Sequence, residues 1–199
     1  MRYIDTYIIK KFDVSSFNVN VPKIYTNVKE ETKLSYLLLN CIYYKNYEKF
    51  LDVSSISKDK NGKPIFLKND LYFNISHSNT YVTCSLATVN IGIDIEEDRL
   101  IKYNTEVKIK HIDDKFIDTI NVWNIKEAYS KYLGIGLKLD FSKISINEIK
   151  KNVNLISNKY SIENKNIYFS LCYNLKEKNL INNINFMSKE KLIEFYRLT

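Results

Sequence analysis

The chain has 199 residues, of which 45% are hydrophobic and 27% charged, with only 4 Gly and 2 Pro. This composition is typical of a globular protein and excludes fibrous and intrinsically disordered chains. The net charge of +7 is compatible with nucleic acid, a phosphorylated cofactor, an acidic protein or a membrane surface as partner, and equally with a lysine-rich codon bias.

The cysteines and the N-terminus indicate the compartment. Cys41, Cys84 and Cys172 are far apart in sequence and odd in number, and no CxxC or Cys/His ligand spacing occurs. Neither a zinc site nor a disulfide framework is therefore expected. The first residues lack the apolar core of a signal peptide, and no stretch reaches the length of a membrane span. We expect a reduced, soluble, cytoplasmic protein.

The first half of the chain predicts a strand, a helix and a turn. Residues Tyr3 to Lys10 are β-branched and aromatic, which indicates a strand. From Val28 to about Tyr47 apolar residues recur at helical spacing. Asn61-Gly62-Lys63-Pro64 predicts a tight turn.

The second half predicts further strands and two helices. The segment from Leu71 to Glu96 favours short strands, whereas Leu100–Thr119 gives no assignment. A helix is expected from about Ile120 to Leu133, closed by Gly134. Ile167–Tyr173 alternates as a strand, and a last helix lies near Ser188–Tyr196. Mixed helices and antiparallel strands predict an α+β fold.

The hexapeptide Ile91-Gly92-Ile93-Asp94-Ile95-Glu96 could carry chemistry. On a strand the isoleucines share one face, and Gly92, Asp94 and Glu96 share the other. Two carboxylates on one face repel each other, and a divalent cation relieves that repulsion. Gly92 leaves room for a ligand to approach the backbone. The alternative is a half-exposed strand with a solvated acidic side.

The predicted helix adds a second group of polar residues. Its apolar residues Val122, Ile125, Tyr129, Tyr132 and Leu133 gather into one stripe at about 100° per residue. Trp123, Glu127 and Lys131 form another stripe on nearly the opposite side. Glu127 and Lys131 could be an exposed i,i+4 ion pair. The only tryptophan of the chain shares their stripe, however, which favours a second buried or ligand-facing surface.

A third group lies in Phe73-Asn74-Ile75-Ser76-His77-Ser78. Two hydroxyls and an imidazole suit hydrogen bonds to phosphate oxygens. A lone histidine is more often structural, and no nucleophile pattern around it supports a catalytic triad.

Four motifs in a fixed order carry a family resemblance: Lys60-Asn61-Gly62-Lys63-Pro64, Phe73–Ser78, Ile91–Glu96 and Trp123-Asn124-Ile125-Lys126-Glu127-Ala128-Tyr129-Ser130-Lys131. They resemble the GKP, N-x-SHS, G-x-D-x-E and W-x-x-KE-x-x-x-K motifs of the Sfp-type 4′-phosphopantetheinyl transferases. Gly134-Ile135-Gly136-Leu137 is similar to the glycine-rich stretch that follows in that family. The resemblance covers essentially the whole chain.

The resemblance implies an enzyme that transfers the phosphopantetheine arm of coenzyme A to a serine of an apo acyl or peptidyl carrier protein, releasing adenosine 3′,5′-bisphosphate. It also implies one monomeric transferase unit over residues 1–199. That unit is a pseudo-dimer of two similar α+β lobes, approximately 1–90 and 91–199, with the active site between them.

Site roles follow from the motifs by the same resemblance. Mg²⁺ would be held by Asp94, Glu96 and Glu127, and Glu127 or a metal-bound water would take the proton of the incoming serine. The remaining roles concern coenzyme A: Lys126 and the catalytic Lys131 on the reacting phosphates, Ser76 and His77 on the nucleotide-side phosphates, Lys63 near the adenosine, and Lys33, with Lys29, on the 3′-phosphate.

One segment departs from the family pattern. Between Glu96 and Trp123 the family has a longer stretch that helps receive the carrier, whereas this chain reads Lys108-Ile109-Lys110-His111-Ile112-Asp113. The choice among carriers of fatty-acid, polyketide and nonribosomal peptide synthesis therefore stays open.

Two other functions share features with this sequence. Metal-dependent nucleases also use paired carboxylates, a third acid and a lysine, but they place the last two residues two apart on a strand. Glu127 and Lys131 are four apart on a predicted helix. A basic nucleic-acid-binding protein is the second alternative, but no RNP-like strand, KH loop or helix-turn-helix supports it. We therefore expect neither a nucleic-acid nor a membrane partner.

Overall fold

The computed structural model describes residues 2–67, 70–177 and 180–198, with the backbone alone at position 137. Helices and strands within these ranges are, in chain order, β1 Tyr3–Lys10, α1 Glu30–Tyr47, β2 Ile56–Lys58, β3 Pro64–Phe66, β4 Tyr72–His77, β5 Tyr81–Ala87, β6 Ile91–Glu97, α2 Tyr103–Ile109, α3 Thr119–Leu133, α4 Ile146–Asn152, β7 Val153–Ile162, β8 Lys165–Asn174, β9 Ile181–Met187 and α5 Lys189–Leu198. The α+β class is confirmed, and every strand and helix predicted in the sequence is present. In these ranges, no helix combines the length and apolar character needed to cross a membrane.

The chain forms two compact units, Met1–Val89 with Asn179–Thr199, and Asn90–Lys178. In the first unit a four-stranded sheet has the order β4-β5-β1-β9. Strand β1 is antiparallel to β5 and parallel to β9. Helix α1 packs against this sheet, and its buried Leu34, Leu38 and Ile42 join Val82 and Leu86 of β5 in one core.

The C-terminal residues belong to a different unit from the one predicted. The second lobe was predicted to comprise the whole of 91–199. Strand β9 instead pairs with β1, and Asn183 donates a hydrogen bond of 2.8 Å to the buried carboxylate of Asp5. The last strand and helix therefore belong to the first unit.

The second unit is built on a three-stranded antiparallel sheet of order β6-β8-β7. Val122, Ile125 and Tyr129 form the apolar stripe of α3 and lie in a core shared with Ile109 of α2 and Ile149 of α4. Of the other residues predicted for this stripe, Tyr132 is partly buried and packs against that core, whereas Leu133 is exposed. Helix α3 ends at Gly134, whose φ of 69° lies in the left-handed region that glycine tolerates.

Candidate active site

Strand β6 presents two of its three carboxylates, those of Asp94 and Glu96, to helix α3. Its three isoleucines are fully buried on one face, so the strand's alternation puts Gly92, Asp94 and Glu96 on the other. Side chains of α3 reach both acids. The predicted division of the strand into an apolar and an acidic face is confirmed.

Gly92 makes room for the helix instead of a ligand. A Cβ atom at this position would lie 2.7 Å from Tyr132 Cα and closer still to Tyr132 N and Ala128 O. The backbone of α3 therefore rests directly on β6. The expectation that a ligand approaches Gly92 is wrong, because α3 already fills that space.

Asp94 is buried and bound by two residues of α3. Lys131 Nζ donates to Asp94 Oδ1 at 2.6 Å, and Asn124 Nδ2 donates to Asp94 Oδ2 at 3.0 Å. These contacts join the strand to the helix across 30 and 37 residues of sequence. A charge-assisted bond of this length is among the stronger hydrogen bonds in proteins.

Glu96 is held in a similar way at the next position of the acidic face. Trp123 Nε1 donates to Glu96 Oε1 at 2.9 Å, and Arg99 forms an ion pair with Glu96 Oε2. Burial raises the pKa of Glu96, Arg99 opposes that rise, and the charge of Asp94 adds to it. The tryptophan of the second α3 stripe is thus partly buried and is hydrogen-bonded to a partly buried carboxylate.

Glu127 lies on the same face of α3 and completes the acidic group. Burial raises the pKa of Glu127 to about 7; the charge of Lys131 opposes this rise, while those of Asp94 and Glu96 add to it. A carboxyl group with such a pKa can take up and release a proton near neutral pH. Glu127, Lys131 and the two acids of β6 therefore form one electrostatically coupled group.

The three carboxylates suit a hard cation in their chemistry. They offer only oxygen donors, the type that Mg²⁺ prefers, and their charges act on one another. Among the described residues, however, no group of three or more His, Cys, Asp and Glu side chains is close enough to hold a metal ion. Lys131 and Arg99 balance the negative charge in this arrangement.

Lys126 does not face these acids. Its side chain is fully buried, and Nζ donates to Ile109 O at 2.9 Å and to Phe141 O at 2.8 Å. Asp114 Oδ2 lies 2.7 Å from the same ammonium. The expectation that Lys126 contacts phosphate is therefore wrong, because its side chain is withdrawn from solvent and bound on the side of α2.

The nucleotide-side candidates lie in the first unit. His77 ends strand β4 and its Nε2 lies 3.9 Å from Glu31 Oε1 in the first turn of α1. Lys33, in the same turn region, lies 3.5 Å from Glu30. The structure thus brings His77 and the N-terminal end of α1 together.

Ser76 and Lys63 have different surroundings. Ser76 is buried and, as the neighbour of His77 on β4, points to the opposite face of the sheet. Lys63 follows Gly62 in the turn between β2 and β3, as predicted. Burial lowers the pKa of Lys63 to about 8, with Asp59 opposing the shift.

Arg99, Asn124 and Asp114 contact the predicted site residues but were not predicted from the sequence. Arg99 could have been found, since a cation three residues beyond Glu96 is well placed to return to it. Asn124 lies inside the α3 motif, but its type gave no signal of a role. Asp114 lies in the segment that gave no assignment, and nothing in its sequence context indicates a partner twelve residues away.

Sequence comparisons indicate what the chain is similar to, although no protein-family model matches it. It is 28% identical over 142 residues to 4′-phosphopantetheinyl transferase gsp of Aneurinibacillus migulanus, covering 65% of this chain and 57% of the relative. It is 30% identical over 129 residues to 4′-phosphopantetheinyl transferase Sfp of Bacillus subtilis (strain 168), covering 58% and 57%. A 4′-phosphopantetheinyl transferase of Bacillus subtilis is 32% identical over 100 residues, or 43% of each chain. The matched part of the chain spans about half the length of these curated relatives.

Proposed function

The chain is related in sequence to the Sfp-type 4′-phosphopantetheinyl transferases, and on that premise we propose that it transfers the phosphopantetheine arm of coenzyme A to a carrier-protein serine. One observation supports the proposal beyond the sequence similarity: Lys131 of α3 is hydrogen-bonded to Asp94 of β6, and the charges of Lys131, Asp94 and Glu96 act on Glu127. These are the four residues to which the resemblance gives the central roles.

The reaction needs a base and a site for growing negative charge. The serine oxygen attacks the phosphorus that carries the pantetheine, and the bond from that phosphorus to the bridging oxygen breaks. Adenosine 3′,5′-bisphosphate leaves with the bond's electron pair. Glu127 takes the serine proton, a role for which its pKa of about 7 is suited. Lys131 supplies positive charge to the phosphate oxygens as the bond breaks.

By the resemblance, Asp94, Glu96 and Glu127 would hold Mg²⁺, and they would have to come closer together than in this structure to do so. When bound, the ion would neutralise pyrophosphate charge. Asn124 and Trp123 orient the two acids of β6 through hydrogen bonds of 3.0 and 2.9 Å. Such fixed orientation avoids reorganisation of these groups during the reaction.

The first unit would bind the nucleotide part of coenzyme A. His77, Ser76 and Lys63 are proposed for this part, and Lys33 for the 3′-phosphate. The proximity of His77 to the first turn of α1 supports a shared role for His77 and Lys33. We also propose that the protein is a cytoplasmic monomer with two similar lobes.

A product assay tests the function. The protein is incubated with coenzyme A, Mg²⁺ and an apo carrier protein, and adenosine 3′,5′-bisphosphate is quantified by chromatography. The expected result is release that requires the carrier. Release in the absence of carrier would indicate hydrolysis of coenzyme A instead of transfer, and no release with carriers of all three pathway types would contradict the proposal.

A further inference from the structure

A buried cation in the second unit is unexplained by the proposed chemistry. Lys126 precedes Glu127 in sequence, yet its side chain is fully buried and turned away from the carboxylates. Burying an ammonium is costly unless its hydrogen bonds and charge are satisfied. A lysine kept in such a place therefore needs a reason other than phosphate binding.

Two hydrogen bonds and one ion pair hold the Lys126 ammonium. The hydrogen bonds go to the main-chain oxygens of Ile109 and Phe141, and the ion pair is with Asp114 Oδ2 at 2.7 Å. Because the side chain is fully buried, the ammonium is shielded from a ligand in solvent. Asp114 is in turn fixed, because its Oδ1 accepts from Ile146 N at the start of α4 at 3.0 Å.

A continuous set of contacts leads from this cation back to the acidic group. Lys126 holds the carbonyl of Phe141, and the Phe141 ring meets the Trp123 ring edge to face, with centroids 5.4 Å apart. The indole of Trp123 then donates to Glu96 at 2.9 Å. Phe141 is buried, so its ring cannot shift without disturbing its neighbours.

We propose that Lys126 is a positioning residue that acts through Phe141 and Trp123 to fix Glu96. The buried ammonium anchors the turn that carries Phe141, and the Phe141 ring fixes the orientation of the Trp123 indole. The indole in turn fixes the position of the Glu96 carboxylate through its hydrogen bond. The catalytic consequence rests on the proposed function, whereas the effect on Trp123 does not.

Trp123 is the only tryptophan of the chain, so its fluorescence reports this orientation without any substrate. Lys126→Met removes the ammonium but keeps a side chain of similar length. Phe141→Leu keeps the main-chain carbonyl and removes the ring. Both variants are expected to shift the tryptophan emission to longer wavelength. Lys143→Met is the matched control, since Lys143 lies in the same turn but is largely exposed and pairs with Asp140; its emission should equal that of the wild type.

A double-mutant cycle on kcat tests whether Lys126 and Phe141 act along one path to Glu96. Each single variant should lower kcat by about ten- to a hundredfold, with the KM for coenzyme A unchanged. The double variant Lys126→Met/Phe141→Leu should be no slower than the worse single variant, because both act along one path. If Lys126→Met unfolds the protein, Lys126→Met/Asp114→Asn replaces it, since that pair leaves no unpaired buried charge.

The proposal would be overturned by an unchanged Trp123 emission in the Lys126 variant, by an equal shift in Lys143→Met, or by losses in kcat that multiply in the double variant. A rise in the KM for coenzyme A with kcat intact would also overturn it, by indicating direct phosphate contact. A wild-type protein without transferase activity would contradict the proposed function alone, and the emission spectra would still decide the structural part.

Discussion

Lys131 Nζ lies 2.6 Å from Asp94 Oδ1 and thereby ties the last turn of helix α3 to the middle of strand β6. This contact fixes which face of α3 is turned toward β6. Because Glu127 lies one helical turn before Lys131, it faces the same strand. The chemistry proposed for the protein depends on that arrangement.

The three carboxylates should each be essential for transfer. Asp94→Asn, Glu96→Gln and Glu127→Gln keep the shape of each side chain and remove its charge, so a loss of about a hundredfold or more in kcat is expected. Initial rates with apo carrier and coenzyme A provide the measurement. Asp98→Asn is the control, since Asp98 is exposed and pairs with Asn166. Near-normal turnover in one of the three variants would exclude a central role for that residue.

Lys131 and His77 should differ in the kinetic step that they affect. Lys131→Ala removes a cation beside the reacting phosphates and should chiefly lower kcat. His77→Ala removes a group near the first turn of α1 and should chiefly raise the KM for coenzyme A. Steady-state kinetics at varied coenzyme A distinguish the two effects. The reverse pattern would exchange the two assignments.

Gly92→Ala should destabilise the protein by about 3 kcal/mol or more, the upper range for an overpacked interior. The added methyl group meets the backbone of Ala128 and Tyr132, which cannot move aside as a flexible side chain would. Urea unfolding gives the free energy. Gly62→Ala is the control: its φ is 89° and its Cβ position is open, so only the left-handed backbone costs about 1–2 kcal/mol. Equal losses in both variants would mean that α3 does not rest on Gly92.

Glu127→Gln should stabilise the metal-free protein at high pH. The pKa of Glu127 is raised from 4.5 to about 7 in the folded state. The protonated carboxyl of the wild type therefore makes its full contribution to the free energy of unfolding below pH 4.5. This contribution is lost as the pH rises to about 7. Glutamine does not titrate, so the variant's advantage should grow over this window to on the order of 3 kcal/mol at most. Unfolding in EDTA at pH 5 and pH 8 measures the change.

The matched control for this experiment is Glu106→Gln. Hydrogen bonds from Lys110 and Thr119 lower the pKa of Glu106, so its carboxylate favours folding above the unfolded pKa. The Glu106 variant should therefore lose stability relative to the wild type as the pH rises, opposite to the Glu127 variant. The same trend in both variants would contradict the raised pKa of Glu127.

Local periodicity accounts for what the sequence predicted well. Alternation along β6 and the helical repeat of α3 together direct Asp94, Glu96, Trp123, Glu127 and Lys131 toward one another, because both patterns depend only on neighbouring residues. The role assigned to Lys126 failed since a motif gives the identity of a residue but not the direction of a long side chain. Helix α2 was missed because it is short and has no side-chain cap at its start. The return of β9 to β1 depends on a pairing across most of the chain, which no local pattern reports.

Mass spectrometry of the carrier protein tests the central claim most directly. Apo carrier is incubated with coenzyme A, Mg²⁺ and the protein, alongside a carrier whose acceptor serine is alanine and alongside the Glu127→Gln enzyme. We predict a mass gain equal to one phosphopantetheine group on the serine carrier with the wild-type enzyme, no gain on the alanine carrier, and a much slower gain with the Glu127→Gln enzyme. No gain with carriers of fatty-acid, polyketide and nonribosomal peptide synthesis, or an equal gain on the alanine carrier, would contradict the assignment.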